Sequence, residues 1–247
     1  IIYDCHELET ETYGLSPLRK AIGKLTEYFY IYYVDLILVV SPSIEKWYRK
    51  KYKLKNIITI INAPNYPIRE NKDYLRRKFN LKKNKKIIIY VGAILEGRSV
   101  KEMIKLFSKL DNKDLCIVFL GYGDLVEYVK LAQKKYNNIF YHEAVPLQEM
   151  VKVISSADLG LAYIVNGSIN DSYCLPNKFF EYIYSGIPVI SSKSPDMVYY
   201  LKKYSIGLSI NKLSYEELLP AIEEVLKIKK EVLMESIKDA KNAVTWN

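Results

Sequence analysis

A chain of 247 residues, 49% of them hydrophobic, can bury one large core or two small ones. No apolar run approaches the roughly 18 residues of a membrane-spanning helix, and three scattered cysteines with two histidines exclude a disulfide framework or a paired-ligand zinc site. The net charge of +9 suits an anionic partner without choosing among nucleic acid, a phosphorylated metabolite and an acidic membrane surface.

The chain opens on Ile1, with no initiator methionine, and reads as a piece of a longer protein, soluble and cytoplasmic, with Cys5, Cys116 and Cys174 as reduced thiols. Residues 1–3 end a buried strand, 16–33 are helical in part, and "DLILVV" (35–40) is a strand closed by Ser41 and Pro42. Ser43 opens a helix to about residue 52, and "NIITIIN" (56–62) is the next strand. "APNYPIRENKDY" (63–74) carries two prolines, several charges and no periodicity, which marks an interdomain linker.

Strands follow at 86–92, 115–121, 138–142, 158–164, 187–192 and 207–210. Helices lie between them, one with Val100, Met103, Ile104, Phe107 and Leu110 on its apolar face, another with Val126, Val129, Ala132 and Tyr136. A last helical pattern runs from 214 to about 242. Short β-branched strands, apolar on both faces and alternating with helices, predict an α/β fold of parallel sheets covered by helices. Ligands bind such sheets beyond the carboxyl ends of the strands, which directs the search to 92–99, 121–124, 142–146, 165–178 and 191–195.

The most informative stretch is "LPNKFFEYIYSGIPVI" (175–190), a short helix running into a buried strand after the polar loop 165–172. Its N-terminus faces the crevice with free amides and the positive end of the helix dipole, a natural phosphate site. Lys178 in the first turn can neutralise phosphate, and Glu181 one turn deeper can accept hydrogen bonds from sugar hydroxyls. The competing interpretation is an i, i+3 ion pair on a solvated face.

"VGAILEGRS" (91–99) and "LGYGD" (120–124) each join a strand to a helix, and alone they are weak signals, more often ordinary tight turns than binding loops. Arg98 in the first offers a bidentate contact to a diphosphate. His6, after the first strand, is a proton donor, a hydrogen-bond donor to sugar, or a structural cap. "EKWYRKKYKLK" (45–55) is basic and aromatic, but Ile44, Trp47 and Tyr48 share a helical face, which favours a packed helix with a solvated side over nucleic acid; peripheral contact with anionic lipid stays open.

These residues carry a resemblance. "LPNKFFEYIYSGIPVI" is similar to the signature of family 4 glycosyltransferases, and "IIYDCHELE", "VDLILVVSPSIEKWYRKKY", "IITIINAPN", "IIIYVGAI", "IVFLGYGDL" and "SADLGLAYI" fall in the family's order. The resemblance implies the GT-B fold, with two Rossmann-like domains facing across a cleft. Residues 1–66 would be the second half of the N-terminal, acceptor-side domain, 67–210 a complete donor-binding domain, and 211–247 a C-terminal helical segment. It implies that Glu181 is the second glutamate of the E-x7-E motif and binds ribose, that Lys178 and Arg98 hold the diphosphate, and that His6 approaches the transferred sugar. The first glutamate falls at Tyr173, a departure from the motif for which Asp171 is the available substitute. Gly92, Gly121, Tyr122, Gly123, Leu175, Pro176 and Asn177 complete the implied donor site.

The implied reaction is transfer with retention from a UDP- or GDP-sugar to a saccharide or lipid-linked acceptor. No metal and no other cofactor is expected, in line with the lack of a D-x-D run, and no nucleic-acid partner. The implied setting is synthesis of capsule-type surface polysaccharide or glycolipid at the inner face of the cytoplasmic membrane. A nucleotide-sugar epimerase of the same fold, for which His142 and Glu143 are the available extra residues, and a non-catalytic nucleotide-binding module stay open as alternatives.

Overall fold

The computed structural model describes residues 1–65, 70–110 and 114–244. A three-stranded parallel sheet holds β1 (Ile2–Cys5), β2 (Leu36–Val39) and β3 (Ile57–Thr59) side by side in that order. Helix α1 (Pro17–Tyr30) connects the first pair and α2 (Pro42–Tyr52) the second. α2 begins one residue before the expected Ser43, because the Ser41 hydroxyl caps it by accepting the Ile44 amide at 3.2 Å and Pro42 suits the first helical position. β3 is shorter than the apolar run 56–62 that announces it.

Glu27 fixes α1 to α2, accepting hydrogen bonds from Tyr48 (2.8 Å) and Tyr52 and pairing with Lys51 (3.1 Å). The opposite side of α1 is apolar and exposed, with Leu18, Ile22, Leu25 and Phe29 each more than half accessible.

The second sheet has six parallel strands: β4 (Lys86–Val91), β5 (Leu115–Gly121), β6 (Ile139–Glu143), β7 (Leu159–Ala162), β8 (Val189–Ser192) and β9 (Gly207–Ile210). Their spatial order is β6-β5-β4-β7-β8-β9, so the chain winds outward from β4 and then returns to wind the other way from β7. Around it lie α3 (Tyr74–Lys78), α4 (Val100–Ser108), α5 (Val126–Lys135), α6 (Leu147–Ile154), α7 (Ile169–Tyr173), α8 (Asn177–Tyr184), α9 (Pro195–Tyr204), α10 (Tyr215–Lys227) and α11 (Lys230–Ala243). One core layer joins Ile87, Ile89, Val118 and Leu120 to Phe179, Phe180 and Tyr182 of α8; the other joins Ile88, Tyr90, Ile117 and Phe119 to α4, α5 and α10. Among the described residues no helix is long and apolar enough to cross a membrane.

The reversal opens a crevice between the carboxyl ends of β4 and β7, the switch point where such sheets bind ligands. The two strands pair only at Ile88–Leu159 and Ile89–Gly160. Beyond that, the Tyr182 hydroxyl of α8 stands between them, accepting the Val91 amide at 2.9 Å and donating to Leu161 O at 3.3 Å. A hydroxyl thus replaces the next ladder bond, and the strands part. Gly160 allows it, since a β-carbon there would overlap the Tyr182 ring.

Three expectations change. The polar loop 165–172 contains the start of α7, whose first turn is capped by Ser168 accepting the Asp171 amide at 3.1 Å. The linker ends in α3, and the expected domain limit at 66–67 falls on residues outside those described, as do 245–247. The helical pattern 214–242 is two helices, because Ile228 and Lys229 are extended and send α11 to the opposite face: Ala221, Ile222 and Val225 join one core layer, Ile237 and Ala240 the other.

Candidate active site

The carboxyl ends of both sheets border one cleft of about 800 Å³, a volume typical of small-molecule sites. His6 and Glu7 after β1, Val40 after β2 and Asn62 beyond β3 line one wall. The other wall is made by Gly97, Arg98 and Ser99 after β4, Tyr163–Val165 after β7, Asn170 and Asp171 of α7, and Leu175, Pro176, Asn177 and Lys178 where α8 begins. Hydrogen bonds close the hinge side: Asn170 accepts the Leu8 amide at 2.8 Å and donates to Glu7 at 3.3 Å, Ser41 donates to Tyr173 O at 2.9 Å, and Asp196 accepts the Ser43 amide at 3.0 Å.

α8 starts after Pro176 with no side-chain cap, so its first amides and its dipole remain available to an anion. Lys178 and Glu181, three apart, rise on one side of this helix, yet they form no ion pair within 4 Å. The Lys178 ammonium instead lies 4.0 Å from the centre of the Tyr90 ring. Burial first, and then the nearby Arg98 charge, lower the Lys178 pKa to about 7, against an upward pull from Glu181. Burial raises the Glu181 pKa to about 7, with Lys178 opposing. Among the described residues no hydrogen bond or ion pair satisfies Lys178, Arg98 or Glu181. Two close cations without a bound carboxylate form a site that an anion completes.

Gly92 has φ +129°, a backbone conformation that calls for glycine, and a β-carbon on it would stand in ordinary contact, 3.6 Å, with Lys178 Nζ, so the turn brings the lysine against this loop. Gly121 and Gly123 have another role: side chains there would collide with the backbone at Gly92 and Ile94, so they let the two loops pack on one another. Tyr122 is 69% exposed, and its carbonyl accepts the Ile94 amide at 2.7 Å. Neither it nor Gly92, Gly121, Gly123 or Glu181 lines the cleft in its present form.

Asp171 borders the cleft while accepting the Ser168 hydroxyl at 2.8 Å. Tyr173 turns away, packing beside the small core of the three-stranded sheet. His6 is exposed in the cleft and pairs with Asp4 at 3.2 Å. Cys174 lines the cleft too, but burial raises its thiol pKa to about 12, which leaves it a protonated neighbour.

His142 and Glu143 are absent from the cleft wall. His142 is fully buried between the Tyr74 hydroxyl (3.0 Å) and the Glu143 carbonyl (2.7 Å), burial lowers its pKa, and Glu143 pairs with Lys78 at 2.9 Å. Asn170 and Tyr90 were not legible as site residues. Asn170 looks like any polar loop residue, and Tyr90 is hidden in a strand apolar on both faces. Among the described residues no group of three His, Cys, Asp or Glu is arranged to hold a metal ion.

The family model for glycosyl transferases group 1 matches residues 71–243. The chain belongs to that family. The match takes in Arg98, Lys178 and Glu181, and leaves the three-stranded sheet outside it. In fold, this group 1 chain is similar to WaaG, a glycosyltransferase involved in lipopolysaccharide biosynthesis, at 15% identity and TM-score 0.68 over 98% of this chain and 70% of that one. It is similar also to sucrose-phosphate synthase from Thermosynechococcus elongatus (15%, TM-score 0.76, 98% and 63%) and to HepE of Anabaena in complex with UDP-glucose (10%, TM-score 0.75, 98% and 66%). These likenesses show the fold, which is GT-B, and the chain spans 63–70% of the lengths of these three structures. No curated protein matches the chain in sequence.

Proposed function

We propose that this chain is the donor-binding part of an enzyme that moves a sugar from a nucleoside-diphosphate sugar to a saccharide or lipid-linked acceptor. The observation that carries the reading is a trio of charged side chains, Lys178, Arg98 and Glu181, without hydrogen-bond or ion-pair partners among the described residues and gathered around the uncapped start of α8 at the switch point. The diphosphate lies against Lys178, Arg98 and the first amides of α8. Glu181, one turn deeper, receives the ribose hydroxyls. As the glycosidic bond breaks, negative charge grows on the diphosphate, and those cations and amides stabilise it without a change in their own positions.

Because the charge is carried by side chains and amides, transfer proceeds without a divalent metal; the resemblance to family 4 glycosyltransferases supports retention at the anomeric carbon. His6, with Asp4 behind it, faces the transferred sugar from the opposite wall. Residues 1–66 act as the second half of the acceptor-side domain and 67–210 as the donor-binding domain. The HepE complex with UDP-glucose supports a uridine nucleotide as the first donor to try.

Calorimetric titration with UDP and GDP tests the site. The wild-type chain binds one of them in the micromolar range, and Glu181→Ala abolishes the binding; a Glu181→Ala variant with wild-type affinity would remove the ribose assignment. Nucleotide release from a panel of UDP- and GDP-sugars, with and without lipid-linked acceptor and in the presence of EDTA, tests the reaction. Release that needs no acceptor at all, or that stops on chelation, contradicts metal-free transfer.

A further inference from the structure

Lys178 starts on α8, whose Phe179, Phe180 and Tyr182 pack on one face of the six-stranded sheet, yet its ammonium ends over Tyr90, a residue of the opposite core layer. The side chain therefore reaches across at the carboxyl ends of β4 and β7, where the Tyr182 hydroxyl holds the two strands apart. Gly92, at the end of β4, lies beside its ammonium. The Tyr90 ring is 1% exposed, and its hydroxyl donates to Ala93 O at 2.9 Å, so the ring is held from both ends. The groups that face Lys178 from the surrounding elements are Arg98 after β4, Glu181 on its own helix, Cys174 before that helix and the Tyr90 ring on β4. Among the described residues the ammonium has no hydrogen bond or ion pair beside this ring contact, and a ring face attracts a cation without neutralising it.

We propose that Tyr90 is a positioning residue for donor binding: its ring seats the Lys178 ammonium at the mouth of the β4–β7 gap, so that an incoming diphosphate meets a cation already in place. The proposal rests on the nucleotide-sugar reading of the cleft. A carboxylate in the place of the ring would hold the lysine as firmly but would compete with phosphate for its charge. The aromatic face avoids that competition.

The test compares Tyr90→Phe, Tyr90→Leu and Tyr90→Phe with the ring fluorinated stepwise, which drains the negative face while keeping the shape. In the unliganded chain, competitive acetylation of the Lys178 amine across pH, read by peptide mass spectrometry, reports its titration. Removing the ring's attraction for the charged form moves that titration to lower pH in order of fluorination, with Tyr90→Phe close to wild type. In parallel, the Kd for UDP rises about tenfold for Tyr90→Leu and for the most fluorinated ring. The fluorinated series decides even if Tyr90→Leu fails to fold. Identical Lys178 titrations across the series overturn the seating, and a shifted titration with unchanged Kd overturns its role in donor binding. A wild-type chain that binds neither UDP nor GDP overturns the proposal from the ligand side, and the labelling series then shows that the nucleotide reading failed, not the contact.

Discussion

Lys178→Ala is expected to bind UDP or GDP about 30- to 4000-fold more weakly than the wild-type chain, the effect of removing one member of a desolvated charge contact worth roughly 2–5 kcal/mol. The same residue sets a pH dependence. With Lys178 and Glu181 both held near a pKa of about 7 by burial, nucleotide affinity peaks near neutrality. Above pH 7 the free lysine has lost its proton and must regain it when phosphate arrives, so affinity falls. Below pH 7 the glutamate is protonated and loses its capacity to accept from two ribose hydroxyls at once. The pair titrates as a unit, but each limb answers to its own substitution. Glu181→Gln flattens the acid limb and Lys178→Met the alkaline one, measured as Kd against pH. A flat profile in the wild-type chain, or full affinity in Lys178→Ala, would show that the diphosphate lies elsewhere.

The largest effect on stability is expected at Tyr182. Tyr182→Phe keeps the ring on Gly160 but strips the hydroxyl that satisfies the Val91 amide and the Leu161 carbonyl. Leaving those groups buried and unpaired costs about 1–3 kcal/mol. Tyr182→Ala empties a fully buried aromatic site as well and costs at least about 3–5 kcal/mol. Urea unfolding followed by circular dichroism measures both. If Tyr182→Phe unfolds at the wild-type midpoint, the two strands can re-pair without the hydroxyl, and the parting of β4 from β7 is not maintained by this tyrosine.

α8 was legible because its signals are local and redundant: a proline before it, an apolar face at helical spacing, and Gly186 at φ +76° ending it before Pro188. The six-stranded sheet was legible from short, largely apolar runs separated by helical patterns. What escaped has physical reasons. α7 is five residues long, too short to show a period. The break at Ile228 and Lys229 carries neither glycine nor proline; the need of α10 and α11 to cover opposite faces imposes it, and no local pattern records that need. The Lys178 charge was read as free or paired with Glu181, because spacing along a helix says nothing about a ring on a strand across the sheet. The glycines of 120–124 were open between binding and turning, and at Gly121 and Gly123 backbone crowding accounts for them.

The Tyr182 hydroxyl has a consequence for how this region opens. In an ordinary sheet the Val91 amide would exchange its proton for deuterium when two strands separate. Here it is bonded to a side chain of α8, so α8 must lift before that amide exchanges. α8 and the two central strands therefore protect one another as a single cooperative block, and the Val91 amide is a natural clock for its opening.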